Sequence, residues 1–352
     1  MSPNYTAAAL GRTFIPNPAE RNSFRRIADK FIESQYTRVL RGEIAKMTWQ
    51  NHRYRARNFF IRKFGDQDIN KITHDDLIKI IDELTERQLG PIAISQYLQT
   101  LKGIFNYAYA ADLLLRPPVF PTIRKSSVPR GAFTLDEYRL LLQTAKHLTH
   151  IRDDEHIVTH RESAGGIFTV RRSIPKEIPW LIGFMVNGFM RPSDVIHIQH
   201  RHVTIVRSEH IYLRLSLPET KRHRAQIVTL QPAVRIYEHL REYMSQRGLA
   251  GPDDYLFLPE IRRREAAGPL MSSHFKKVLE VSGLRYGSLG QARTLYSLRH
   301  TAIMFRLLYG RGIDLLTLAR NARTSVQMIE KFYASNLTAE MNIGLLQSHR
   351  SR

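Results

Sequence analysis

Cysteine is absent from the 352-residue sequence, which removes disulfides, thiolate nucleophiles and every zinc or iron–sulfur site that needs a sulfur ligand. That absence fits a reducing compartment, and the cytoplasm is the expected location. Acids are short as well: 32 Asp and Glu face 53 Lys and Arg, a formal net charge of +21. Long apolar runs are missing. The longest, Ile178 to Met190, is interrupted by Asn187 and falls short of the ~20 residues that a bilayer-spanning helix needs. The opening MSPNYTAAALGRTFIPNPAE has no basic stretch followed by an apolar run, so neither a secretory leader nor membrane insertion is expected. No G-x-x-x-x-G-K-[ST] loop, H-E-x-x-H pair or G-x-S-x-G elbow occurs, which takes support from ATP use, zincin chemistry and serine hydrolysis. Histidines 147, 150, 156 and 160 suggest a metal site, in which His147 and His150 could share a helix face, but such spacings predict a metal only weakly and the stretch is read as a solvated polar loop.

What is present describes a folded basic protein. Hydrophobic residues make up 43% and aromatics 9%, enough for a substantial core, and the length suggests two domains of roughly 100 to 200 residues. A surplus of positive charge on this scale calls for a polyanionic partner, of which nucleic acid is the commonest. Residues 1–21 form an N-terminal extension. From Asn22 to Ala111, apolar residues recur at helical spacing, as in Phe24, Ile27, Phe31 and Ile32, and in Leu77, Ile80, Ile81 and Leu84. Thr73 with Asp75 and Asp76 marks one helix start and Pro91 another. Between 112 and 132, Pro117, Pro118, Pro121 and Pro129 favour extended chain, read as an interdomain linker. At about 3.3 to 3.6 Å per residue, roughly twenty such residues reach around a duplex, so the two domains could close as a clamp. Residues 133–352 then open on a helix start at Thr134, run through a buried helix at IPWLIGFMVNGFM, and change to alternation between His202 and Leu230. That alternation predicts a hairpin or three-stranded antiparallel sheet, followed by helices from Val234 onward. The expected class is mainly α with a small antiparallel β-sheet.

Three basic clusters carry more information than the charge. They are Arg191 after Asn187-Gly188-Phe189-Met190, Lys221 in the turn Glu219-Thr220-Lys221-Arg222-His223-Arg224, and Arg299 in Tyr296-Ser297-Leu298-Arg299-His300-Thr301. Downstream come Ala322-Arg323-Thr324-Ser325 and Met328-Ile329-Glu330-Lys331-Phe332-Tyr333. In these residues the chain resembles the tyrosine recombinase (phage integrase) family, whose order is an Arg, a Lys in a β-hairpin, His-x-x-Arg, a His or Trp, and a nucleophilic Tyr near the C-terminus. The resemblance spans both domains. It implies a helical SAM-like core DNA-binding domain over 22–111, a catalytic domain over 133–352 with a C-terminal tail, and a site made of Arg191, Lys221, Tyr296, Arg299, Thr324 and Tyr333.

The chemistry of those residue types suits that site. Attack on a phosphodiester builds charge on the non-bridging oxygens, and without a metal that charge needs fixed cations. Guanidinium is always protonated and grips two phosphate oxygens at once, so Arg191 and Arg299 are assigned to the scissile phosphate. A tyrosine at its ordinary pKa is ionised in only about one molecule in a thousand at pH 7, and neighbouring cations lower that pKa and orient the oxygen of Tyr333. Lys221 is the general acid the resemblance implies for the 5′-hydroxyl leaving group. Two positions depart from the family: Tyr296 stands for the first histidine of His-x-x-Arg, and Thr324 for the His or Trp. Both side chains hydrogen-bond, but neither titrates near neutrality.

Further contacts with DNA are expected from Arg53, Arg55, Arg57, Arg62 and Lys63, from Arg124, Lys125 and Arg130, from Arg201, from Arg222 and Arg224 in the hairpin turn, and from Arg262, Arg263 and Arg264. The expected activity is site-specific cutting and rejoining of DNA through a 3′-phosphotyrosyl intermediate, with no cofactor, for integration or excision of a mobile element. Its expected partners are a double-stranded attachment site, further copies of the chain in a tetramer on paired sites, and DNA-bending accessory proteins. Rival readings are a type IB topoisomerase-like nicking and closing enzyme, or a non-catalytic DNA-binding protein on the same fold.

Overall fold

The structure, a computed structural model, describes residues 22–124, 131–150, 162–163, 166–167, 173–217, 226–310 and 312–333. The chain divides into two compact units, one ending at Ser127 and the other beginning at Val128. Among the described residues no helix is long and apolar enough to cross a membrane.

The first unit contains four principal helices: α1 (Phe24–Leu40), α2 (Lys46–Arg55), α3 (His74–Glu86) and α4 (Pro91–Ala110). Their starts follow the local chemistry read from the sequence. The Thr73 side chain accepts from the Asp76 amide while Asp76 accepts from the Thr73 amide, a reciprocal cap, and Pro91 occupies the first turn of α4, where its missing N–H costs nothing. Helix α2 continues through a π turn, Ala56–Phe60, into a last helical turn, Ile61–Phe64. The inserted residue changes the helix phase and lets the adjacent Phe59 and Phe60 both enter the core, their rings edge to face at 5.1 Å. Phe24, Ile27, Leu77, Ile80, Leu101 and Phe105 fill that core without solvent exposure. The Pro-rich stretch is extended, as its prolines dictate, yet as far as Ile123 it lies on this unit: Leu114 is buried, and the Phe120 ring meets Phe105 at 5.7 Å.

In the second unit, α5 (Leu135–His150) precedes a two-residue ladder between β1 (Glu162–Ser163) and β2 (Gly166–Ile167). Helix α6 (Ile178–Gly188) is apolar on every side, and it is buried because α5, α8 (Pro232–Ser245) and α10 (Leu295–Tyr309) pack around it. Strands β3 (Val203–Arg207), β4 (Ile211–Leu215) and β5 (Ile227–Val228) form the antiparallel sheet, with Ile205 opposite Leu213 and Leu215 opposite Ile227. The period-two pattern sends Leu213, Leu215 and Ile227 into the core. Helices α7 (Pro192–His197), α9 (Arg264–Val281), α11 (Leu315–Asn321) and α12 (Val326–Tyr333) complete the unit. A separate small cluster, Phe189, Ile303, Met304, Leu318, Ala319, Ala322 and Ile329, packs the end of α6 against α10, α11 and α12.

Candidate active site

That small cluster is the floor on which the site is built. Helix α6 ends at Gly188 and is capped by Phe189, whose φ of 54° is left-handed, a conformation a buried aromatic adopts only when its surroundings impose it. The turn delivers Arg191 to the start of α7, where its backbone amide donates to Asp194 Oδ2 at 3.0 Å. The Arg191 guanidinium donates to the carbonyl of Arg323. From α10, the buried Arg299 donates through Nη1 to the Phe189 carbonyl and through Nη2 to the Ala322 carbonyl. Two arginines expected from the sequence at one phosphate therefore take hold of consecutive carbonyls in one turn, between α11 and α12.

That turn is itself held from below. Arg323 has a φ of 51° and its side chain is 1% exposed, with Nη1 3.8 Å from Oδ1 of the fully buried Asp194. The Thr324 amide donates back to the Ala319 carbonyl at 2.9 Å, and Thr324 is half-buried at the head of α12. Tyr333 is the last residue of that helix. Thr294 caps α10, its hydroxyl accepting from the Tyr296 amide at 3.3 Å, which sets the helical phase of the residues that follow. Tyr296 and Arg299, three apart, share a face. The Tyr296 ring lies 5.1 Å from the ring of His300, and His300 lies 6.2 Å from Phe332, the neighbour of Tyr333. Four of the six expected residues, Arg191, Tyr296, Arg299 and Thr324, thus lie on α10, the head of α7 and the α11–α12 turn, with the backbone of Tyr333 on the helix that the turn begins.

Lys221, with Arg222 and Arg224, lies outside the described residues. The strands that flank it are described, and they are tied to the same turn: Asn321 accepts from the Val228 amide at 2.8 Å and donates to the Val228 carbonyl at 2.9 Å. Nothing in the sequence singled out Asn321, because an asparagine at a helix end is ordinary capping composition. Beside Arg191 opens a cavity of about 620 Å³ that also takes in Ser193, Lys276, Arg285, Arg293 and Tyr296. Lys276, Arg285 and Arg293 were not expected there; Arg285 and Arg293 stand singly in the sequence, and Lys276 has only Lys277 beside it, with no longer basic run to mark them. Two other phenols of the unit are held in the protonated form. Burial pushes Tyr138 up to about 12, against a hydrogen bond from Asn187, and burial also raises Tyr237.

The expected DNA contacts divide into several groups. Arg53, Arg57, Arg62, Lys63, Arg124, Arg201, Arg262 and Arg263 are exposed. Of these, Lys63 pairs with Glu83, Arg57 lies 3.5 Å from Asp29, and Arg201 lies 2.7 Å from Asp253. Arg55 is half-buried, donating to Gln96 at 2.7 Å. Lys125 and Arg130 lie outside the described residues. Arg264 is a correction. Its guanidinium is buried, stacks 4.0 Å from the Tyr255 ring centroid, and donates to the carbonyls of Ile196, Phe257, Leu258 and Ile261, so it serves the fold and faces no duplex. Among the described residues no group of three or more His, Asp or Glu is placed to hold a metal ion; His156 and His160 lie outside them.

No family model matches the chain, and no curated protein sequence matches it. Solved structures do. A lambda integrase tetramer bound to a Holliday junction matches with a TM-score of 0.63 at 17% identity, over 92% of this chain and 82% of that one. A dimer of lambda integrase residues 75–356 bound to a COC′ core site matches with a TM-score of 0.60 at 18% identity, over 87% and 94%. The Tn1549 transposon integrase in complex with a circular intermediate DNA matches with a TM-score of 0.62 at 13% identity, over 92% and 98%. At such identities the likeness establishes architecture alone, and on that ground the chain has the tyrosine recombinase fold.

Proposed function

We propose that the chain is a site-specific DNA recombinase that cuts and rejoins strands by transesterification at Tyr333. The observation that carries this reading is the convergence of Arg191 and Arg299 on the carbonyls of Arg323 and Ala322, one turn ahead of the helix that ends in Tyr333. A guanidinium has five N–H donors, so the bond from Arg191 to a carbonyl fixes its direction while leaving donors for a phosphate in the adjoining cavity. Arg299 contributes a buried positive charge behind it. In the proposed step the Tyr333 oxygen bonds to phosphorus as the bond to the 5′-oxygen breaks. The tyrosine proton is released, and Lys221 supplies one to the leaving 5′-oxygen. The phosphotyrosine keeps the energy of the broken ester, and attack by a second 5′-hydroxyl reverses the step. Arg191 and Arg299 offset the charge that grows on the non-bridging oxygens, and Tyr296 and Thr324 act as neutral hydrogen-bond partners of the same phosphate.

The double-stranded site and the tetrameric assembly are proposed by likeness to the integrase structures solved on DNA, one of them a tetramer. The core DNA-binding role of residues 22–111, the catalytic role of 133–352 and a place on the nucleoid belong to the same proposal. Its test is a nicked suicide duplex built from the sequence that the full chain selects out of a randomised pool, incubated in excess EDTA because the proposed cations are side chains. An SDS-resistant protein–DNA adduct is expected. A strict Mg²⁺ requirement for cleavage would contradict the mechanism, and tight binding without any adduct would leave a DNA-binding protein on a recombinase fold.

A further inference from the structure

The cavity beside Arg191 is larger and more basic than one phosphate needs. It is an open pocket of about 620 Å³. Arg191 lines it, and Lys276, Arg285 and Arg293 supply three more cations; no acid is among the lining residues, although Lys276 lies 3.4 Å from Glu280 one turn along its helix. The hydroxyls of Ser193 and Ser272 add neutral donors, and the buried core residues Phe275, Leu279 and Leu295 back the pocket.

Arg293 is the telling member. It is 3% exposed, its Nη2 donates to Glu137 at 2.7 Å and to the Ala132 carbonyl at 3.1 Å, and its guanidinium covers the Phe133 ring at 4.5 Å. Its Nε and Nη1 are buried and have no hydrogen-bond acceptor. Buried donors of an obligate cation are normally matched, so two unmatched ones on a residue that lines the pocket point to an anion as the missing partner. The same loop fixes Arg285: its guanidinium donates to the Arg293 carbonyl, and the Arg293 amide donates to the Arg285 carbonyl at 3.0 Å. The two guanidinium groups are therefore held at the ends of one short loop, preorganised before any ligand arrives.

We infer that Arg293, Arg285 and Lys276 form a second phosphate site, which takes the backbone phosphodiester neighbouring the scissile one on the same DNA strand. This inference rests on the proposed recombinase reading for the identity of the polyanion, and it adds a register: gripping two successive phosphates fixes which one meets Arg191.

The experiment is fluorescence anisotropy of the full chain with a labelled mixed-sequence DNA duplex across a KCl series. Arg293→Gln and Arg285→Gln should each lower the log–log salt slope by about 0.9, the value for one lost phosphate contact. Glu137→Gln removes the internal partner of Arg293 while keeping its charge, and its slope should not fall below that of the parent. A merely structural Arg293 would make Arg293→Gln and Glu137→Gln alike, and unchanged slopes in both arginine variants would overturn the inference even if Arg293→Gln folded poorly, since Arg285 is only half-buried. The slope does not depend on strand cleavage. Reduced slopes in a chain that never forms a tyrosyl adduct would keep this site and defeat the recombinase reading, whereas an adduct with unchanged slopes would do the reverse.

Discussion

Tyr296 and Thr324 occupy the places where the resembled family carries ring nitrogens, and both are half-buried around the turn that Arg191 and Arg299 grip. If each donates a neutral hydrogen bond to the phosphate, deleting the hydroxyl costs about 1 to 3 kcal/mol. Tyr296→Phe and Thr324→Val should then slow single-turnover cleavage by about five- to 150-fold, with little change in duplex affinity. Parental rates in both would reduce the two side chains to packing. Arg264 teaches the opposite lesson about reading single residues. A run of three arginines in the sequence is the same signal whether the third meets a phosphate or four backbone carbonyls, because both partners are oxygens. Its truncation to alanine should cost more than ~3 kcal/mol in urea unfolding by stranding buried carbonyls, while leaving the salt slope of DNA binding unchanged.

The elements that local chemistry defines were legible. The Thr73 cap, Pro91, the all-apolar α6 and the alternation of β3 and β4 each depend on residues within a few positions of one another. Elements whose form depends on distant packing were not. Nothing local announces the π turn at Ala56–Phe60, and Pro269 lies inside α9, where it costs the helix a hydrogen bond that surrounding contacts must offset. The joint between the sheet and the α11–α12 turn is of this second kind. Asn321 holds both hydrogen-bonding groups of Val228 and so connects β5, next to the segment bearing Lys221, with the turn gripped by the arginines. Asn321→Asp keeps the oxygen that accepts from the Val228 amide but loses the N–H donor to its carbonyl. It should reduce the cleavage rate more than duplex binding, and Asn321→Ala should reduce it further. Equal loss of binding and cleavage in both variants would make the joint a general support only.

For the whole molecule, the mainly helical class with one small antiparallel sheet, and the surplus of cations, could be read directly from periodicity and composition. The seating of the chain up to Ile123 on the first unit could not, since extended Pro-rich segments read alike whether bare or packed. Titration offers a test of the packed state. Burial holds His52, His200, His202 and His274 below the ordinary imidazole value, reinforced at His200 by the charge of Arg241. The unfolded chain therefore takes up protons first, at about pH 6.5, so the stability these four residues confer is complete above that pH and declines as pH falls toward their folded values. The urea midpoint should drop on acidification through this window, and His200→Gln should make the drop shallower. Midpoints that stay level between neutral and mildly acidic pH would contradict the burial of these rings.

The central claim is that a specific oxygen, at the end of α12, becomes joined to DNA. Digestion of the adduct formed on the nicked suicide duplex, followed by mass spectrometry of the nucleotide-bearing peptide, addresses it most directly. The account predicts one modified peptide, with the 3′-phosphate on Tyr333, and no adduct from Tyr333→Phe although that variant still binds the duplex. A nucleotide found on another residue, such as the exposed Tyr309, or an adduct that persists in Tyr333→Phe, would contradict it.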